Sequence, residues 1–370
     1  MFTYLNYERS LLSLTASVLK HFGVKTEHSP LPEFDRLLEK NYKNVVIMLF
    51  DGLGVSAINE HLPEDSFLKK HFVCGISSVF PSTTVAATVT AMTGLSPAEH
   101  GWLGWDLYFE EIGENVAVFR NTLQKNGKPA SDYNVARRYI PYKDIFKHIE
   151  EVNGKGTAFC VSPFSKYRSK SVRDICKTVK RLTHKRKKKY IYTYWYQPDK
   201  AMHDYGVKSR QAHEQILLIN NEVERLCKRL KNTVVIVTAD HGLCDSVNVY
   251  LEDYPTLSAM LKIPPSIEPS RALSFFVKEG MLEEFRNEFN RHFGDDFILM
   301  TKEEVFAENL LGFGKPHPRT YDFVGDFLAM ATGEKSLFIE REERTFTGVH
   351  AGLTKEELTV PFICIERDSL

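Results

Sequence analysis

No stretch of the chain approaches the roughly 18 apolar residues of a membrane-spanning helix, so no such helix is expected in it. Excess charge is missing as well. Lys plus Arg and Asp plus Glu number 48 each, which gives no reason to expect a nucleic-acid polymer or a membrane surface as partner. The six cysteines (74, 160, 176, 227, 244, 364) show no CxxC or finger spacing. Cys160 and Cys364 fall inside apolar runs, where a thiol acts as a small hydrophobe. A reduced protein without a disulfide framework is therefore expected. Internal repeats are absent, and the only biased segment is the basic run His184–Lys189, read as a solvated loop. The N-terminal stretch is broken by Glu8 and Arg9 and reads as an amphipathic helix, not an export signal, so the cytoplasm is the expected location.

What is present is an alternation of short apolar runs and helical patterns along 370 residues that are 43% apolar. Val45–Phe50, Thr157–Val161, Tyr190–Tyr196 and Thr233–Thr238 read as buried strands. Helical periodicity marks residues 10–22, 144–151, 172–182 and 209–231, while residues 105–108 and 116–120 suggest a hairpin. This pattern predicts an α/β fold: a doubly wound, mostly parallel sheet with helices on both faces. After Asp245 the texture changes, with Pro255, Pro264, Pro265 and Pro269, then a β-α-β pattern over residues 273–300. Residues 246–344 are read as an inserted α+β cap, and 1–245 with 345–370 as the core. The cap's aromatic residues Tyr254, Phe275, Phe276, Phe313 and Tyr321 are expected to fill a small core in preference to stacking on a ligand.

Six metal-ligand side chains stand close to the ends of these strands: Asp51, Asp199, His203, Asp240, His241 and His350. Open α/β sheets gather ligands at the carboxyl ends of their strands, so residues far apart in sequence can meet there. Asp51 ends an apolar run and precedes Gly52, which permits a sharp turn; capping of the next helix is its alternative role. Asp199 and His203 share one face if residues 200–203 form a helical turn. Asp240-His241-Gly242 directly follows TVVIVTA, and its plainer reading is a buried histidine bonded to its neighbour. His350 carries little local information and matters as the member completing a second set of three. The other histidines, among them His61, His71, His148, His213 and His292, are read as surface residues, and His317 as a cap residue. Three Asp and three His suffice for two divalent metals.

The segment FPSTTVAATVTAMTG places hydroxyls at a helix start, where free N–H groups and the helix dipole favour an anion. Thr83 and Thr84 are the hydroxyls on offer as nucleophile; Ser82 or Thr83 acting as a helix cap is compatible with Thr84 in that role.

The order Asp-Gly, Thr-led helix closing in TG, Asp-xxx-His, Asp-His-Gly and late His resembles the alkaline phosphatase superfamily. The nearest likeness is its nucleotide pyrophosphatase/phosphodiesterase branch, and the motifs span residues 44 to 352 without the cap. Counted back from Gly94, Thr84 takes the nucleophile position. The resemblance implies one zinc held by Asp51, Thr84, Asp240 and His241, and another by Asp199, His203 and His350, with manganese as the alternative metal. It also implies a phospho-threonine intermediate and a small phosphoester substrate, with a nucleotide as one option. Ala87 departs from the pattern, because that branch commonly has a phosphate-binding Asn there, and no Arg stands beside Thr84. This leaves diester, monoester and phosphonate hydrolysis open. A phosphomutase of the same superfamily is an alternative that Thr84 disfavours, since those relatives usually carry Ser. A silent metal-binding protein is a lower-ranked one.

Overall fold

Every residue of Asn44–Phe50 is buried, as expected of a strand covered on both faces. It lies at the centre of a six-stranded sheet in the computed structural model, which describes residues 3–268, 270–341 and 346–367. The spatial order is Phe72–Ser77, Thr359–Arg367, Thr233–Thr238, Asn44–Phe50, Lys189–Trp195, Ala158–Val161. Asn44–Phe50 pairs in parallel with both neighbours, and Ala158–Val161 extends the parallel run. Thr359–Arg367 is antiparallel to the strands on either side. Helices including Leu11–His21 and Thr84–Thr93 pack as one group; Val172–Thr183, Asp199–Tyr205 and Arg210–Cys227 pack as another. This is the mostly parallel α/β sheet that the alternating pattern predicts. None of the six cysteines is disulfide-bonded. Among the described residues, no helix is long and apolar enough to cross a membrane.

A second sheet has seven strands, ordered Phe297–Thr301, Phe327–Ala331, Ala272–Phe275, Ser266–Glu268, Asp106–Phe109, Glu114–Ala117, Thr122–Leu123. The division between the sheets therefore does not follow the boundary expected at Asp245. The hairpin from residues 106–117 joins the later strands through the pairing of Asp106 with Ile267, which gives its free edge a partner. The other expected boundary, at 344–345, and Pro269 lie outside the described residues. The β-α-β unit is present in split form: Phe327–Ala331 runs antiparallel between Ala272–Phe275 and Phe297–Thr301. Helix Leu282–Phe293 covers it with Phe285, stacked on Phe327, and with Phe289 and Phe293, which meet Phe275 and Phe297 edge to face. Phe275 thus belongs to a core, and each such ring contributes about 1.5–3 kcal/mol by burial.

The basic run is not wholly solvated. Lys189 begins the strand and is buried, its ammonium donating to the carbonyls of Lys185 and Lys187 and to Asn44 Oδ1. His61 and His100, expected at the surface, are also buried. His61 Nε2 donates to the Val207 carbonyl at 2.7 Å, and His100 receives the Trp102 N–H at 2.9 Å. His317 caps the helix Pro318–Phe323 by accepting from Arg319 N–H, a structural role.

Candidate metal centre

Three adjacent parallel strands, Thr233–Thr238, Asn44–Phe50 and Lys189–Trp195, end side by side. Neighbouring strands lie about 4.8 Å apart, so the carboxylates that follow them, Asp240, Asp51 and Asp199, converge. Gly52 turns the chain with φ 73°, and a Cβ there would stand 2.9 Å from the Asp199 Cα. Asp240 Oδ1 accepts from the N–H groups of Gly52 (3.1 Å) and His241 (3.0 Å), while its Oδ2 is buried with no partner. Asp51 accepts from Tyr194 OH and from Thr84 Oγ1, the latter at 3.4 Å.

All three histidines use one nitrogen on a backbone carbonyl and turn the other inward. Nδ1 bonds the carbonyl of Gly348 in His203 (2.6 Å), of Gly242 in His241 (3.1 Å) and of Ser82 in His350 (3.2 Å). A carbonyl only accepts, so each Nδ1 carries a proton and each Nε2 faces the carboxylates, where its lone pair serves a metal whenever that nitrogen is unprotonated. His241 Nε2 lies 3.2 Å from Thr84 Oγ1, 3.4 Å from Asp51 Oδ1 and 3.7 Å from Asp240 Oδ2. Asp199 Oδ1 is 3.1 Å from His203 Nε2 and 3.9 Å from His350 Nε2. The rings of His241 and His350 stack at 3.7 Å.

The ligand atoms fall into two groups, Asp51-Asp240-His241 and Asp199-His241-His350, each within 4.8 Å. His203 joins the second through Asp199, with which it shares a face of the helix Asp199–Tyr205. All six predicted ligands and Thr84 therefore meet. The sequence-based division differs in one respect, since His241 reaches both groups. Three buried carboxylates without enough cations are costly. Burial, then Asp240 and Asp199, push the Asp51 carboxyl well up. Burial also raises Asp199, but His203 and His241 outweigh it and bring the group below its ordinary value. Burial lowers His203, yet Asp199 holds its net value up; burial and the neighbouring His241 and His203 drive His350 well down. The orphaned Asp240 Oδ2, the clustered carboxylates and the inward Nε2 atoms all fit divalent metal, with N and O donors suited to zinc or manganese.

Thr84 opens the helix Thr84–Thr93, and Thr83 is its N-cap. The Thr83 side chain makes no capping bond; it donates to Glu268 Oε2 at 2.7 Å. Ala87 is buried in the main core and offers no polar atom. Glu268, on the second sheet, also accepts from Trp105 N–H at 3.1 Å, and burial pushes its carboxyl up to about 7.

Sequence reasoning passed over several supporting residues. Tyr194 holds Asp51 from one strand over, and Glu268 had no motif to mark it. The buried pair Arg271–Glu357 is bidentate, at 2.7 and 2.8 Å. Glu357 also accepts from Gly352 N–H (2.7 Å) with its side chain and from Gly242 N–H (2.8 Å) with its carbonyl. It thereby ties the turns carrying His241 and His350 together. Its capping box, Thr354 to Glu357 in TKEE, was the one available sequence signal. Ala351, next to His350, has φ 100°, a strained value held by its bridge to Ser82. Phe164, 79% exposed, has its ring 6.4 Å from that of Tyr194, the residue that holds Asp51.

A family model described as type I phosphodiesterase / nucleotide pyrophosphatase matches residues 45–351, a span that includes the six candidate ligands and Thr84. The chain belongs to that family. No curated protein matches it by sequence. Among solved structures, murine ectonucleotide pyrophosphatase / phosphodiesterase 5 is similar at 18% identity and TM-score 0.66, with 88% of each chain covered. An inactive threonine-to-alanine form of that protein, in complex with AMP, gives 17% and 0.66, covering 88% of this chain and 87% of that one. Phosphonoacetate hydrolase from Sinorhizobium meliloti 1021, in complex with phosphonoformate, gives 16% and 0.63, covering 87% and 89%. These likenesses establish a shared alkaline phosphatase-like fold.

Proposed function

We propose that this family member hydrolyses phosphodiesters or nucleotide pyrophosphates through a covalent phospho-Thr84 intermediate at a centre for two divalent metals. The observation that carries the reading is the inward Nε2 of His203, His241 and His350 meeting Asp51, Asp199 and Asp240 beside the Thr84 hydroxyl. Asp51, Thr84, Asp240 and His241 would hold one ion and Asp199, His203 and His350 the other. Bound metal would supply the positive charge that lets a threonine hydroxyl ionise near neutral pH and offsets charge on the entering and leaving oxygens.

The steps at the protein's own atoms are these. Thr84 Oγ, its proton lost to solvent, attacks phosphorus; the Oγ–P bond forms as the bond to the leaving oxygen breaks. Water then attacks phosphorus from the opposite side, the Oγ–P bond breaks, and Thr84 recovers a proton. Ala87 supplies no amide to grip the phosphoryl oxygens. The N–H groups of Thr84, Val85 and Ala86, which meet no acceptor among the described residues, take that part. The exposed Phe164 ring beside Tyr194 offers a stacking face for an aromatic or nucleobase leaving group.

A hydrolysis panel of diesters, monoesters, nucleotide pyrophosphates, phosphonates and sulfate esters, run with zinc and with manganese, tests the reading. Diester or pyrophosphate turnover that vanishes in Thr84→Ala is expected. Turnover of a phosphonate alone would move the assignment to the chemistry named for the Sinorhizobium structure, and a requirement for a phosphorylated acceptor would move it to a phosphomutase.

A further inference from the structure

The Thr83 hydroxyl occupies the position from which a threonine ordinarily caps its helix, and it does not do so. An N-cap side chain accepts from the N–H of the second or third helical residue, here Val85 or Ala86. Thr83 instead points its hydroxyl at the second sheet and donates to Glu268 Oε2 at 2.7 Å. The same oxygen accepts Trp105 N–H at 3.1 Å, which fixes the carboxylate from the opposite side. Glu268 is enclosed by protein yet keeps some solvent contact, as a residue bordering a cleft does. The helix start that is left open faces the cradle where the buried Asp240 Oδ2 lacks a partner.

We infer that Glu268 is a positioning residue that draws the Thr83 side chain out of the helix cap, so that the N–H groups of Val85 and Ala86 stay free for phosphoryl oxygens. The inference rests on the proposed phosphoryl chemistry and names a regulator of the same site. Two groups compete for the same pair of donors: an intramolecular hydroxyl, always present, and a substrate anion. Glu268 removes the hydroxyl from that competition. The second sheet thereby contributes to phosphate binding without touching phosphate. It also explains how a site with Ala87 in place of an amide side chain can rely on backbone donors, since those donors are kept open.

The test is a cycle of metal-loaded variants. In Glu268→Ala the hydroxyl is released and swings into the cap. kcat/KM and the affinity for orthovanadate, measured by calorimetry, both fall about tenfold, the ratio set by a cap of ordinary strength. In Thr83→Val no hydroxyl exists to close the cap, and both quantities stay within about threefold of wild type. The double variant Glu268→Ala/Thr83→Val then recovers most of the loss, which a purely structural role for Glu268 would not allow. Glu268→Gln keeps an acceptor for Thr83 and stays within about threefold. A double variant no better than Glu268→Ala, or a Glu268→Gln as impaired as the alanine form, overturns the inference. A crystal structure of Glu268→Ala reads the hydroxyl directly: Thr83 Oγ1 within hydrogen-bond distance of Val85 or Ala86 N supports it, and an unchanged rotamer overturns it. Wild-type protein that turned over no phosphoester would defeat the proposed function instead, with the hydroxyl position still decided by that structure.

Discussion

Arg271 and Glu357 touch no predicted metal ligand through their side chains, yet their replacement should empty the metal centre. Both are fully buried, and their two hydrogen bonds are backed by Arg271 contacts to the Gly333 and Lys335 carbonyls. Breaking one member of such a pair costs about 3–5 kcal/mol, because the survivor is left charged and dry. Arg271→Met falls at the lower end, since the Glu357 carboxylate keeps Gly352 N–H and the Thr354 hydroxyl as donors. Glu357→Leu falls at the upper end, because it strands the guanidinium and orphans Gly352 N–H together. The paired change Arg271→Met/Glu357→Leu restores an apolar contact and recovers all but about 1–2 kcal/mol. It does not restore the anchor two residues after His350. Urea unfolding read alongside zinc stoichiometry separates the two effects: the double variant should be folded and stable but bind zinc at least about tenfold more weakly. A folded double variant with wild-type zinc affinity would refute the claim that Glu357 sets the ligand loops.

Other consequences are equally direct. Thr84→Ala should keep its metal, losing few contacts, while turnover drops about a thousandfold or more; near wild-type activity would remove Thr84 from the mechanism. Asp240→Asn or His203→Ala should lower metal occupancy as well as rate, checked by elemental analysis of the purified variants, and unchanged content would count against their roles. Phe164→Ala should raise KM for nucleotide substrates several-fold and leave alkyl diesters unaffected. The metal-free protein should lose stability as pH climbs from about 6.5 through about 7. Asp51, His203 and Glu268 all have raised pKa values in the fold, Glu268 at about 7, so the folded state holds protons that the unfolded chain releases as pH climbs. His350, driven down, adds stability only up to its ordinary value near 6.5 and is flat beyond it. A melting temperature that rose over this window without metal would contradict that assignment, and added zinc should remove the share of the fall that comes from Asp51 and His203.

Asp51, Asp199 and Asp240-His241 were legible in the sequence because each follows a hydrophobic run that marks a strand end, whereas His350 gained meaning only by completing the set. Asp51 and Asp240 are the clearest cases. The second sheet was only partly legible. Periodicity identified the hairpin near residue 106 and the strand near 273, but nothing local says that a single pairing, Asp106 with Ile267, joins them. Glu268 and Tyr194 escaped notice for a related reason: their importance lies in partners far along the chain. His100 and Lys189 were misjudged because their burial is made tolerable by hydrogen bonds to Thr90, Trp102, two loop carbonyls and the Asn44 side chain, which sequence does not display.

One measurement bears most directly on the whole account. Turnover of a phosphodiester by metal-loaded protein is quenched in acid within a single cycle, and the peptides are mapped by mass spectrometry. The predicted result is a phosphoryl group on Thr84 Oγ that still carries the second ester substituent of the diester. Sustained turnover with no adduct, or with the phosphoryl group on another residue, would contradict it.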